Sequence, residues 1–139
     1  MRILSVDYGE ARTGLAVSDY TGTIASPLTV IHEKNMDTLV SKISDAVKEN
    51  DIFEIVVGNP INMNGSIGEK SLKCESLSEK LREITKVPVV MWDERLTTVA
   101  AHKVMNDNNK RGKKRRESID AVAAAVILEG YLWSKNKKK

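Results

Sequence analysis

The chain has 139 residues, 41% of them apolar, with eight glycines and a single cysteine, Cys74, which suits one ordinary globular core. An internal disulfide is excluded and a reducing compartment fits. A structural zinc site is not expected from one cysteine and two distant histidines, His32 and His102. No apolar run approaches the roughly 20 residues that cross a bilayer, and the N-terminus does not read as a signal peptide, so the expectation is a cytoplasmic protein without a membrane partner. The net charge of +3 conceals a division: residues 110–116 and 135–139 hold ten of the 22 basic residues, leaving 12 basic against 19 acidic elsewhere.

Taken in chain order, Ile3, Leu4 and Val6 form a short strand ending at Asp7. Thr13–Ser18 and residues 23–32 read as two more strands, and the short gaps with Gly9, Gly14 and Gly22 suit an antiparallel meander. The period then changes. Met36, Leu39, Val40, Ile43 and Val47 mark an amphipathic helix that Asn35 or Asp37 can cap. Ile52–Val57 is a buried strand closed by Gly58-Asn59-Pro60. After the loop at Asn64-Gly65, a second helix has Cys74, Leu77, Leu81 and Ile84 on its core face. Val87–Trp92 is a fifth strand ending at Asp93-Glu94, and Leu96 to about Asn106 reads as helical. A basic loop follows, and Ser118 can cap a last helix with Ile119, Val122, Ala123, Val126 and Ile127 as apolar positions. This order predicts an α/β fold: a mixed five-stranded sheet, its first three strands antiparallel and its later strands parallel, with helices on both faces. Residues 1–134 read as one domain and 135–139 as a disordered basic tail.

The acidic residues fall where chemistry gathers. Asp7 ends strand one, Asp93 and Glu94 end strand five, and Asp120 lies in the predicted first turn of the last helix. In open sheets, sites collect at the carboxyl ends of parallel strands, so three separate segments can deliver acids to one edge. Crowded carboxylates repel one another, and protonation or a cation must relieve that repulsion. Oxygen ligands suit hard cations such as magnesium or manganese, and two such ions about 4 Å apart can promote phosphodiester displacement. Each acid also has a plainer role: Asp7 as a turn former, Asp93 and Glu94 as partners of Arg95 or Lys103, Asp120 as a complement to the helix dipole. Jointly those roles weaken, because Asp120 opens an otherwise apolar helix and a buried acid without a partner is costly. Arg12 can contact phosphate or orient a carboxylate. The basic run Lys110, Arg111, Lys113, Lys114, Arg115 and Arg116 can attract a phosphate backbone and release its condensed counterions.

Four blocks of residues, in order, carry a resemblance. They are Asp7-x-Gly9-x-x-Arg12-x-Gly14-x-Ala16; Val56-Val57-Gly58-Asn59-Pro60 with Asn62-Met63-Asn64-Gly65; Asp93-Glu94-Arg95-Leu96-Thr97-Thr98; and the basic run leading into Ile119-Asp120-Ala121-Val122-Ala123-Ala124. Together they span nearly the whole chain, and the chain is similar to the YqgF family, also called RuvX-like Holliday junction resolvases or pre-16S rRNA nucleases. The resemblance implies a ribonuclease H-like fold, a nuclease dependent on divalent metal, and a cytoplasmic role in maturing the 5′ end of the 16S rRNA precursor. By position it implies Asp7, Glu94 and Asp120 as catalytic, metal-holding acids with Asp93 beside them. Lys113 or Lys114 would lie beside the scissile phosphate. The chain has Asn59 where the family often has Leu and Asn64 where it often has Asp. Its fourth strand ends without the acid that many ribonuclease H-like enzymes carry there, so the acid of strand five must serve.

The expected partner is nucleic acid: structured RNA such as the small-subunit rRNA precursor, or branched DNA if the chain resolves four-way junctions, bound by a monomer or a homodimer. With Arg12, Arg95 and the basic run as the phosphate contacts, a non-catalytic RNA-binding assembly factor is the remaining alternative. Six aromatic residues give few stacking platforms for reading single strands. A nucleotide phosphotransferase is disfavoured because there is room for one domain only. Gly65-Ser66-Ile67-Gly68-Glu69-Lys70-Ser71 lacks P-loop spacing.

Overall fold

A computed structural model of the chain describes residues 1–61, 64–96 and 112–137. Five strands, β1 (Arg2–Asp7), β2 (Arg12–Ser18), β3 (Ala25–His32), β4 (Ile52–Asn59) and β5 (Val89–Asp93), form one sheet in the order β3-β2-β1-β4-β5. β1 pairs antiparallel with β2, and β2 with β3. β4 runs parallel to both β1 and β5. The helices are α1 (Met36–Glu49), α2 (Glu69–Thr85) and α3 (Gly112–Lys137), with a single 3-10 turn at Glu94–Leu96. The mixed five-stranded sheet expected from the sequence is therefore the one observed.

Period-two alternation splits the strand side chains into two unlike cores. Leu4, Val6, Leu15, Val17, Ile55 and Val57 pack under α1 and α2, where they meet Leu39, Ile43, Leu77 and Leu81. The opposite face presents Ile3, Ala16 and Val56 to α3, which answers with Ala124, Ala125, Ile127, Leu128 and Leu132. Large aliphatic side chains space the first layer; on the second, Ser5, Gly14, Ala16, Ala124 and Ala125 leave places where α3 lies close. The Ser5 hydroxyl donates to the Ala124 carbonyl at 2.6 Å, a backbone-level contact between helix and central strand. At Gly14 the approach is tighter still: a Cβ there would stand 2.0 Å from the Asp120 carbonyl oxygen.

Local chemistry sets most element ends. Asn35, not Asp37, caps α1, its side chain accepting from the Thr38 amide. β3 begins at Ala25 rather than residue 23 because Asp19 Oδ1 accepts from the amides of Thr23 and Ile24 and holds them in a turn. Pro27, which cannot donate to a ladder, sits on β3 at the edge of the sheet, beside the register shift at Leu15/Ala16.

Three expectations are corrected. Ile84 is 54% exposed; the core face of α2 runs through Ser71, Cys74, Leu77, Ser78 and Leu81 instead. The last helix starts at Gly112, not after Ser118, so Lys113, Lys114, Arg115 and Arg116 are helical and Asp120 lies in the third turn. Lys and Arg are good helix formers, and reading the charge run as a loop overlooked that. Of the tail expected to be disordered, residues 135–137 are helical, and 138 and 139 lie outside the described residues. Lys135 Nζ reaches Glu54 Oε1 at 3.0 Å and lies over the rings of Phe53 and Tyr131. The helix expected from Leu96 to Asn106 lies outside the described residues beyond Leu96.

Because the atoms facing Gly14 are backbone, no rotamer change can accommodate a methyl group there. Gly14→Ala should destabilise the protein by about 3 kcal/mol, read as a lower urea midpoint at unchanged m-value. A midpoint equal to that of the wild type would mean that α3 does not lie on β2 as described.

Candidate functional site

Strand parity decides which acids share a face. Ile3 and Ser5 point toward α3, so Asp7, two residues on, does too. Along β5, Val89 and Met91 face α1 and α2, while Trp92 faces α3. Asp93 therefore follows the wrong face, and the 3-10 turn that begins at Glu94 places the next carboxylate on the side of α3. There Glu94 Oε1 lies 3.2 Å and Ile127 Cδ1 2.6 Å from where a Cβ on Gly58 would be. Gly58 thus leaves the room that Glu94 occupies. Asp120 arrives from α3 directly over Gly14, the residue paired with Asp7 across the β1–β2 ladder.

Asp7 and Asp120 border a cavity of about 210 Å³ at the carboxyl end of β1, lined also by Gly9, Arg12 and Lys70 among others; Glu94 is outside its lining. Burial, reinforced by the nearby Glu94 and Asp120 charges, pushes the Asp7 carboxyl up to about 7, against the pull of Lys70. Glu94 is raised as well, first by burial and then by Asp93, again opposed by Lys70. Asp120 Oδ2 stands 3.3 Å from Arg12 Nε. That contact is an ion pair without hydrogen-bond alignment, because the same buried oxygen has no hydrogen-bond partner. Gly9 permits the loop beneath the cavity by close approach: a Cβ there would lie 2.2 Å from the Arg12 carbonyl oxygen.

These features suit a hard cation: an all-carboxylate donor set, two members raised by burial and a nearby like charge, and an orphaned buried oxygen on the third. Among the described residues no three acids form a group drawn in around one ion. Asp7 and Asp120 border the cavity, and Glu94 reaches Asp7 through its charge.

The remaining expected site residues divide. Asp93 is held below the usual carboxylate range by Arg95, whose guanidinium clasps it at 2.8–3.1 Å. Arg95 therefore serves a carboxylate, as does Arg12. Lys110 and Arg111 lie outside the described residues. Lys113, Lys114, Arg115 and Arg116 occupy the first turns of α3, a helix end where cations oppose the macrodipole. His32 is exposed; His102 lies outside the described residues. Lys70 is the residue that the sequence does not single out, since the segment around it carries no motif beyond an imperfect P-loop spacing. Topology could have found it: β4 ends at the site edge, and the helix that follows must start close to that edge.

Comparison with known proteins places the chain in a defined neighbourhood. A family model described as RuvX, Holliday junction resolvase, matches residues 1–134. A Bacillus thuringiensis protein named as a pre-16S rRNA nuclease is 44% identical over 137 residues, 97% of this chain and 100% of that one. A Ruminiclostridium cellulolyticum protein of the same name is 39% identical over 133 residues, 95% of this chain and 94% of its own. Among solved structures, T. thermophilus RuvC in complex with a Holliday junction substrate aligns with a TM-score of 0.63 at 12% identity, covering 98% of this chain and 96% of that one. That likeness shows a shared ribonuclease H-like fold.

The raised Asp7 carboxyl has a consequence for stability. Between about pH 4 and 7 the native state keeps a proton that the unfolded chain has released, so the stability contributed by this group is full below pH 4, falls across that window and is gone above 7. Without divalent metal, the wild type should lose about 2–3 kcal/mol between pH 5 and 8, and Asp7→Asn should flatten that slope. Urea midpoints measured across this range in chelator provide the check; identical slopes for the two proteins would contradict the electrostatic picture.

Proposed function

The chain belongs to the RuvX family, and from that premise we propose that it is a metal-dependent nuclease that hydrolyses phosphodiester bonds at the 5′ end of the 16S rRNA precursor in the cytoplasm. The observation that carries this reading is the approach of Asp7, Glu94 and Asp120 from three separate elements, close enough that the charges of Glu94 and Asp120 add to burial in raising Asp7, with Asp7 and Asp120 lining one cavity. The close relatives named as pre-16S rRNA nucleases support the choice of substrate.

Asp7 and Asp120, with Glu94 completing the set, would hold magnesium or manganese. When bound, the divalent ion supplies Lewis-acid stabilisation of the charge that builds on the phosphate oxygens. The chain's own residues do the rest. Arg12 steadies the Asp120 carboxylate at the cavity wall. Asp7, on the last residue of a central strand, is fixed by the ladder to Gly14, which gives the rigid placement such chemistry requires. The basic first turns of α3 bind the flanking backbone, with Lys113 or Lys114 nearest the reacting phosphate. Cations at a helix N-terminus cost stability, typically a few tenths of a kcal/mol each, and a bound polyanion reverses that penalty. Among the described residues, no helix is long and apolar enough to cross a membrane.

A second reading is favoured by the description of the family itself as Holliday junction resolvases. Resolution of a four-way DNA junction would use the same acids but needs two symmetrically placed cuts, and so a two-fold dimer; pre-rRNA cleavage can proceed with a monomer.

Asp7→Asn should lower metal-dependent cleavage by about a thousandfold or more, because several kcal/mol of charge stabilisation go with the carboxylate. The wild type and this variant should be assayed on pre-16S rRNA leader and on four-way DNA junction, each with magnesium, manganese or chelator. Preference for the RNA supports the processing role, and preference for the junction by a dimer supports resolution. RNA binding without turnover by the wild type in either metal would leave only a binding protein.

A further inference from the structure

Beyond the acid-lined cavity, the surface continues. A second groove of about 190 Å³ adjoins it, lined by Tyr8, Glu10, Glu69, Lys70 and Lys73. Tyr8, Glu10 and Lys70 border both hollows, so Lys70 stands at the junction. Its exposed side chain forms no ion pair among the described residues, although its charge is felt at Asp7 and Glu94. Lys73, one turn further along the same face of α2, is engaged: its Nζ lies 2.7 Å from Glu10 Oε1.

An acidic cavity repels a polyanion unless cations flank it. The N-terminal turns of α3 are one source of cations, since Lys113–Arg116 precede Asp120 by about 6–10 Å along the helix axis. That helix lies on the opposite face of the sheet from α2, so the other flank must come from elsewhere, and at this edge α2 offers Lys70 and Lys73. We propose that the nucleic-acid backbone leaves the acid-lined cavity across Lys70 and runs into the adjoining groove over the first two turns of α2, with Lys70 contacting the phosphate at the junction and Tyr8 forming the floor. Glu10 is then a brake: its carboxylate occupies Lys73 and adds negative charge beside the path. The track deepens the nuclease reading and rests on it for the location of the reacting phosphate.

The test is binding by the full chain in chelator, so that no cleavage intervenes. The probes are a fluorescently labelled RNA spanning the 5′ processing region of the 16S precursor and a labelled four-way DNA junction, each read by anisotropy through a salt titration. Lys70→Gln should weaken binding and reduce the slope of log affinity against log salt by about one, while Lys70→Arg keeps both. Glu10→Gln should tighten binding by releasing Lys73. Wild-type affinity and slope in Lys70→Gln, or binding by Glu10→Gln that is unchanged or weaker, would overturn the track. Metal-dependent cleavage by the wild type is scored separately. Its absence alongside the expected binding shifts would remove the nuclease and leave the groove; its presence with unshifted binding would do the reverse.

Discussion

α3 lies close enough on the sheet for backbone to meet backbone, and the site depends on that approach. Gly14 has no Cβ where the Asp120 carbonyl passes, and Gly58 has none where Ile127 and Glu94 settle. Ser5 and Ala16 are small enough to let Ala124 and Ala125 come down between them. On the other face, Leu4, Leu15, Ile55 and Val57 hold α1 and α2 off at ordinary side-chain distance. The asymmetry explains why the acids gather on one side. A helix spaced by leucines would carry Asp120 away from Asp7, and their charges would no longer couple.

Bringing the acids together costs stability, and the fold concentrates that cost. Burial and like charge raise Asp7 and Glu94, and a buried oxygen of Asp120 is left without a hydrogen bond. Arg12 and Lys70 offset part of the repulsion but from the rim, so the cavity remains open to a cation and to a phosphate. Asp93 shows the contrast. One residue earlier on the chain and on the other face, it is clasped by Arg95 and held in its charged form. Two adjacent carboxylates are thus assigned different environments by the alternation of a single strand.

The basic turns of α3 carry a related tension. Four cations within the first turns oppose the helix dipole, yet they precede Asp120 on the same rigid rod. Under the proposed function, a phosphate backbone bound there would be tied to the acids through continuous helix, which a loop would not ensure.

Much of this was legible in the sequence. The change of period from two to 3.6 located the strands and helices, and the mixed sheet followed from connection lengths. The acids at positions 7, 94 and 120 stood out because each ends or opens an apolar segment. Charge runs misled where propensity was the better guide: Lys113–Arg116 and Lys135 read as solvated loop and tail, yet α3 spans both. Lys70 gave no local signal, since its importance comes from the helix that carries it to the edge where Asp7 and Glu94 lie. Local sequence determined element type, because periodicity and capping act over a few residues. Tertiary structure alone decided which carboxylates are coupled, which arginines are already engaged and where the cations stand, because those are properties of distance and burial between segments far apart along the chain.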